Sequence, residues 1–413
     1  MKQVNKIGIL VSWPREIDMY DRLLSTSSDK YEIIANNFKS FEKGRNLSNK
    51  KIIQILDKKK IKYSLFSNVY KKNKYSIILS TGEISGYKIS LYSTVRFLYA
   101  ITIGSFLKFF KISKLLINIF GRPFDGGGID AKLGAVWLPE KILGKTVIKF
   151  PDGMDVKTKN YPFNIYKNVF DIYFSYCDLE IKLIESKFQK KCVKIDCFRF
   201  NEYNNNNKFK KENLIREFKL DPQKKIIYWM PTHINNFNEE NENLKNWIHK
   251  INFLNNYYNV VLKPHPKTLS TNKKFLDQLK KLNYVLDENF DKKIMECILS
   301  ADLILADYGS IPFDTIFLKK KLVLLNLRKN TLFEKDLIYN ESLDILLRND
   351  VQNLNIDLSE TEILKKINIK MIKNDSQDLN NLKIKYYGKK INLDFYETKK
   401  FLDNKLNILD SIK

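Results

Sequence analysis

The chain has 413 residues, 44% of them hydrophobic, and a formal net charge of +25. That length favours two hydrophobic cores over one, and the apolar content suffices to fold both without disulfides or metals. Cys177, Cys192, Cys197 and Cys297 form no C-x-x-C pair and have no histidine close by, which excludes a structural zinc site and fits a reducing compartment.

Residues 6–12 read as a first buried strand. The apolar run from Ile7 to Val11 is too short for a signal sequence and is followed at once by Pro14 and Arg15. No stretch reaches the roughly 18 uncharged apolar residues that span a bilayer. The expected location is therefore cytoplasmic. Further strands are predicted at 31–36, 62–67, 75–81, 135–138, 146–150 and 171–176. They alternate with helical stretches, the pattern of βαβ units and a parallel sheet. Residues 88–120 carry Leu91, Val95, Leu98, Phe106, Phe109 and Leu116, punctuated by Lys108, Lys111 and Lys114. Two uses fit them: a helix pair packed on the sheet, or a basic amphipathic face for anionic lipid. Most helical apolar faces are core faces, which favours the first.

Residues 201–212, NEYNNNNKFKKE, are polar and low in complexity, the pattern of a linker. The alternation then restarts. Strands are predicted at 225–230, 260–263, 284–286, 303–306 and 322–325, with helices at 242–257, 292–301 and 312–320. Residues 359–413 read as a polar helical extension folding back over the domain junction. The expected architecture is α/β, with Rossmann-like doubly wound domains at 1–200 and 213–358 facing a cleft. Open sheets of this kind bind ligands beyond the C-terminal ends of their strands. The positive charge points to an anionic partner such as nucleic acid, a membrane surface or a phosphorylated substrate. A compositional bias that also enriches Asn, Ile and Tyr accounts for it equally well. The lysines are dispersed and no nucleic-acid motif occurs, so no nucleic-acid partner is expected.

Four loops at strand ends can carry chemistry. Pro231-Thr232-His233 follows strand 225–230; a histidine there can contact phosphate or exchange protons, or be an ordinary surface residue. Lys263-Pro264-His265-Pro266 holds its histidine between two prolines, a rigid setting that favours a functional role. In Ala306-Asp307-Tyr308-Gly309-Ser310-Ile311-Pro312-Phe313-Asp314 a strand enters a glycine turn, with Ser310 as N-cap and Pro312 in the first helical turn. Its free N–H groups would suit a diphosphate. In the first domain, Pro151-Asp152-Gly153 with Lys157 follows strand 146–150. Asp152 could serve as general base to an acceptor hydroxyl, or the segment is a plain Pro-Asp-Gly turn. Glu83, after Thr81-Gly82, and the glycines of 124–130 rank lower. No G-x-S-x-G, H-E-x-x-H or P-loop occurs.

The order YWMPTH, VVLKPHP and ADLILADYGSIPFD over about residues 224–327 resembles the CDP-glycerol glycerophosphotransferase family of teichoic acid polymerases and primases. The resemblance implies a GT-B fold and transfer of a polyol phosphate from a CDP-linked donor. It implies His265 and Ser310 as donor-phosphate ligands, with Asp307 and Asp314 ordering the loop or contacting the donor. His233, Lys263 and Gly309 complete the donor-side candidates, and Asp152, Gly153, Lys157 and Glu83 the acceptor side. Two departures stand out. Gly309 occupies the place of the family's first serine, and the family's acceptor-side histidine-glycine motif has no histidine here, its only near match being Asp152-Gly153.

The leading expectation is a transferase building teichoic acid or capsule, with Asp152 and His265 as its catalytic residues. Its partners would be an activated donor, a polymer or lipid-linked acceptor and an anionic membrane surface on the inner face of the plasma membrane. No metal or cofactor is called for, since His265 and the helix start could neutralise the leaving phosphate. A nucleotide-sugar transferase on the same scaffold is the second reading. A non-catalytic basic module binding nucleic acid or lipid is the third.

Overall fold

The computed structural model describes residues 1–25, 29–38, 43–70, 72–81, 139–151, 153–154, 170–188, 190–197, 200, 211–232, 246–265, 268, 277, 279–282, 284–289, 292–326, 343–373, 376–388 and 395–411. The predicted strand 135–138, the segment 88–120, the glycine loop 124–130 and most of the predicted linker lie outside these residues. The chain divides into two compact units. One comprises Met1–Gly153, Lys157–Arg199 and Lys390–Lys413; the other comprises Met154–Val156 and Phe200–Lys389.

The first unit runs β1 (Lys2–Val11), α1 (Pro14–Ser25), β2 (Tyr31–Ala35), α2 (Lys43–Lys58), β3 (Tyr63–Leu65), α3 (Phe66–Val69) and β4 (Asn73–Ser80). It continues with α4 (Pro139–Leu143), β5 (Gly144–Lys149), β6 (Ile172–Ser175), α5 (Asp178–Phe188) and β7 (Lys191–Lys194). All pairings are parallel, in the order β3-β2-β1-β4-β5-β6-β7. A parallel sheet covered on both faces needs continuous apolar runs. Ile7, Ile9, Leu10 and Val11 of β1, and Ile77, Ile78 and Leu79 of β4, are fully buried. The predicted strand 62–67 is shorter, because Phe66 and Val69 turn inward on the one-turn helix α3.

The second unit runs α6 (Lys211–Phe218), β8 (Ile226–Met230), a 3-10 turn at Asn252–Asn256, β9 (Asn259–Leu262), β10 (Val285–Leu286), α7 (Ile294–Ser300) and β11 (Leu303–Ala306). It continues with α8 (Ile311–Phe317), β12 (Leu322–Leu325), α9 (Leu343–Leu346), β13 (Asn353–Leu354), α10 (Glu360–Ile372) and α11 (Ser376–Tyr387). Its sheet, again all parallel, has the order β10-β9-β8-β11-β12-β13. Trp229, Val260, Leu262, Leu305, Val323 and Leu354 form one buried layer with Ile363, Ile367 and Met371 of α10. Ser359 caps α10 through a reciprocal bond with Glu362. Lys211, assigned to the linker from sequence, begins a helix whose Leu214 is buried.

The stretch 359–413, expected as one extension, is shared between the units. Helices α10 and α11 belong to the second, whereas α12 (Phe395–Ser411) packs on β1 and β4 of the first. Phe401 meets Phe174 edge-on at 5.8 Å, and Tyr31 Oη donates to Asp403 at 3.2 Å. Leu402 and Leu406 are buried there.

Candidate functional site

In each sheet the strand order reverses once, between β1 and β4 and between β8 and β11. A crevice opens at such a point because the following connections run to opposite faces. In the second unit, parallel register sets Leu262 beside Trp229, and Met230 beside Ala306. The loops after β9, β8 and β11 therefore stand side by side at one sheet end, carrying His265, Thr232 and Asp307 respectively.

Asp307 clasps two of these loops. It is 3% exposed. Its Oδ1 accepts the N–H of Thr232 and that of Tyr308, each at 2.8 Å, and its Oδ2 accepts the Thr232 hydroxyl at 3.0 Å. Burial raises its carboxyl above the usual range, while these bonds and the nearby Arg348 charge work the other way. Asparagine can keep the Oδ1 bonds and donate to the Thr232 hydroxyl, whereas alanine strands two N–H groups. Asp307→Asn is thus expected to melt near wild type and Asp307→Ala to lose about 2–3 kcal/mol, as measured by denaturant titration.

The next residues depart from expectation. Gly309 has φ +90°, and a Cβ there would meet nothing closer than Thr232 Cγ2 at 4.0 Å. Glycine is needed for the backbone angle and not for space. Gly309→Ser, which restores the resembled family's residue, is expected to cost about 1–2 kcal/mol in the same titration. Ser310 occupies the N-cap position of α8, yet its φ and ψ are −85° and −21° and its side chain makes no capping bond. The N–H groups of Phe313 and Asp314 both reach the Ser310 carbonyl at 3.1 Å, and Pro312 has none. The helix start therefore offers fewer N–H groups than expected, and Asp314, 3% exposed, brings an acid into its first turn.

Lys263 is not a free donor ligand. Its ammonium bonds Asp287 at 2.9 Å and the Asn289 carbonyl at 2.8 Å; its side chain is 7% exposed and that of Asp287 is 0%. Tyr228 Oη also donates to Asp287 Oδ2, and the Cys297 thiol lies 3.8 Å from the same oxygen. The group fixes the end of β9, the strand that leads into Pro264-His265. His265 itself is half-buried, and its carbonyl accepts the Thr268 N–H at 2.8 Å.

Glu83, Asp152, Lys157 and His233 lie outside the described residues. Gly153 is buried, and the Pro151 carbonyl accepts the Tyr176 hydroxyl at 3.1 Å, tying the loop after β5 to the end of β6. The sequence reading missed the acid at the first unit's own reversal point. Glu16, fully buried, accepts the N–H groups of Ser12 and Trp13 after β1 and the hydroxyl of Thr81 after β4. A second acid, Glu140, accepts the Ser80 hydroxyl at 3.0 Å, and burial raises its carboxyl. The available signal was an acid four residues past a strand end in a first helical turn. Among the described residues, no group of three or more His, Cys, Asp and Glu is arranged to hold a metal ion, and no helix is long and apolar enough to cross a membrane.

Residues 183–328 match the family described as CDP-Glycerol:Poly(glycerophosphate) glycerophosphotransferase, the one that the motifs resemble. Among solved structures, the wall teichoic acid polymerase TagF is 12% identical over 98% of this chain and 89% of that one, with a TM-score of 0.52. A TagF variant soaked with CDPG gives 11% identity over 99% and 90%, with a TM-score of 0.52. A Listeria monocytogenes protein assigned as a UDP-N-acetylglucosamine 2-epimerase gives 11% over 92% and 90%, with a TM-score of 0.50. No curated protein matches the chain in sequence. At such identities the structures show the fold, which is GT-B.

Proposed function

From a chain whose residues 183–328 match a glycerophosphotransferase family and mark it as a transferase, we propose the following activity. It moves glycerol phosphate, or a related polyol phosphate, from a CDP-linked donor to a cell-surface polymer or glycolipid at the inner face of the plasma membrane. One observation carries this reading. The Pro-Thr and Asp-Tyr-Gly-Ser loops of that segment are joined by Asp307 at a sheet-reversal crevice, where α/β folds take nucleotides.

In the proposed reaction the acceptor hydroxyl attacks the donor's β-phosphorus. A new phosphodiester bond forms, the bond from that phosphorus to the bridging oxygen breaks, and CMP leaves with the bridging oxygen. Asp152 takes the hydroxyl proton. His265 and Ser310 stabilise the charge that develops on the leaving phosphate. The missing capping bond leaves the Ser310 hydroxyl uncommitted to the helix, which suits it to that use. The scheme asks for no resident cofactor.

The test is CMP release and acceptor elongation with CDP-glycerol, CDP-ribitol and a panel of nucleotide sugars. Turnover of a CDP-polyol supports the proposal. Turnover of a nucleotide sugar alone would make the chain a sugar transferase, and steeply salt-dependent DNA binding without turnover would make it a basic module.

A further inference from the structure

The second sheet has a charged cavity at the end opposite its crevice. Lys225, Asp302 and Lys321 stand immediately before β8, β11 and β12, three strands that are neighbours in the sheet. Together with Lys319, Lys320 and Met371 they line a cavity of about 400 Å³. That volume lies in the range of ligand pockets. The cavity is one strand length from the loops of Thr232 and Asp307, about 17 Å for the five residues of β8.

Its walls carry more positive charge than the protein neutralises. Asp302 brings the acid, and its Oδ2 accepts the Lys211 ammonium at 2.8 Å and the Ile226 N–H at 2.7 Å. The Lys321 ammonium donates to the Met371 carbonyl at 2.6 Å. Among the described residues, Lys225, Lys319 and Lys320 form no ion pair. Lys320 is half-buried, and burial lowers the pKa of its ammonium despite the Asp302 charge. An anion beside it would offset that penalty. A larger cavity of about 550 Å³ lies beside α10 and α11, but there Lys373 and Lys385 are paired with Asp378 and Asp350.

We propose that the cavity before β8, β11 and β12 is a second anion site, which holds phosphate groups of the acceptor polymer away from the reacting end. The inference rests on the transfer reading above and names where that acceptor's charge is met. An ammonium is a point charge with three donors and suits phosphate oxygens approaching from any side. Each phosphodiester carries one negative charge, so a few successive repeats match three lysines. A lipid headgroup offers the same phosphate. Membrane faces, however, set basic residues around apolar side chains that enter the bilayer. Here the lysines line a concavity and Met371 among them is buried, which favours the polymer.

The experiment is calorimetric titration of poly(glycerol phosphate), CDP and phosphatidylglycerol vesicles into the wild type and two triple variants, with thermal melting of each to verify folding. One variant combines Lys225→Gln, Lys319→Gln and Lys320→Gln. The other removes the same charge from exposed positions elsewhere in the unit, by Lys281→Gln, Lys365→Gln and Lys366→Gln. The first is expected to weaken the polymer by about tenfold, the summed effect of three modest ion pairs, and to flatten the salt dependence of its binding. CDP should stay within about twofold, and the second variant should lose less than about threefold on the polymer. Equal polymer losses in the two variants would mean general attraction to a basic surface and overturn the proposal. So would an unchanged polymer affinity, a matching loss of CDP, or a loss confined to the vesicles. A wild type that binds CDP but no polymer would overturn this inference alone. Lysine-dependent polymer binding without any CDP binding or turnover would overturn the donor reading and leave the cavity as a polymer site.

Discussion

Asp287→Ala is expected to cost about 3–5 kcal/mol of stability, the toll of leaving a buried ammonium without its counter-charge. Lys263 is only 7% exposed, and the Asn289 carbonyl alone does not neutralise it. Tyr228 Oη would lose its acceptor in the same step. Lys263→Met combined with Asp287→Ala removes the stranded charge and should recover at least half of the loss. A denaturant cycle over the four proteins checks this; additive losses would mean that the two side chains do not act as a pair. The same group predicts acid sensitivity. Burial alone would raise the Asp287 carboxyl, but Tyr228, Lys263 and the Asn289 N–H outweigh it and hold the acid below its usual range. A depressed carboxyl contributes stability that is present above its unfolded pKa of about 3.9 and lost as pH falls through the lower folded value. The melting difference between wild type and Asp287→Asn should therefore shrink below about pH 4.

His265→Ala is expected to lower kcat for CDP-polyol turnover by about 100- to 1,000-fold, the usual effect of deleting one donor that stabilises developing charge. The backbone around His265 is rigid. Pro264 precedes it, the Lys263 N–H bonds the Trp229 carbonyl, and the Thr268 N–H bonds the His265 carbonyl. Substituting the side chain should leave that frame in place, so melting should change by less than about 1 kcal/mol. Calorimetry on the same variant separates the stages. A kcat loss without an affinity loss marks a contact made in the transition state, whereas a matched affinity loss marks ground-state binding of the donor phosphates. Unchanged turnover would remove His265 from the mechanism.

The parallel strands were legible because a doubly covered sheet writes itself as short unbroken apolar runs: LILA and LVLL coincide with β11 and β12. The edge strands β7 and β13 were not, since KCVK and NL carry no such run. The loops with His265, Thr232 and Asp307 were legible as strand ends followed by turn residues. Their electrostatics were not. Lys263 looked like a ligand because its partner Asp287 lies 24 residues away, past a strand of two residues. Arg348 lies in no motif, and only the fold of β12 and β13 returns it to Tyr308. Ser310 has the residue type of a cap but sits in helical backbone angles, so its hydroxyl does not turn back on the helix.

The placement of α12 bears on how the molecule matures. The second unit is almost continuous, from Phe200 to Lys389, and can close its core once that span has left the ribosome. The first unit cannot. The apolar surface over β1, β4 and Phe174 is covered by Phe401, Leu402 and Leu406, which are translated some 200 residues after β7. During that interval the nascent first half exposes an uncovered sheet, the state in which chains aggregate or recruit chaperones. The domain made first is thus finished last, and a nonsense codon shortly before α12 would strand the earlier half of the protein rather than the later one.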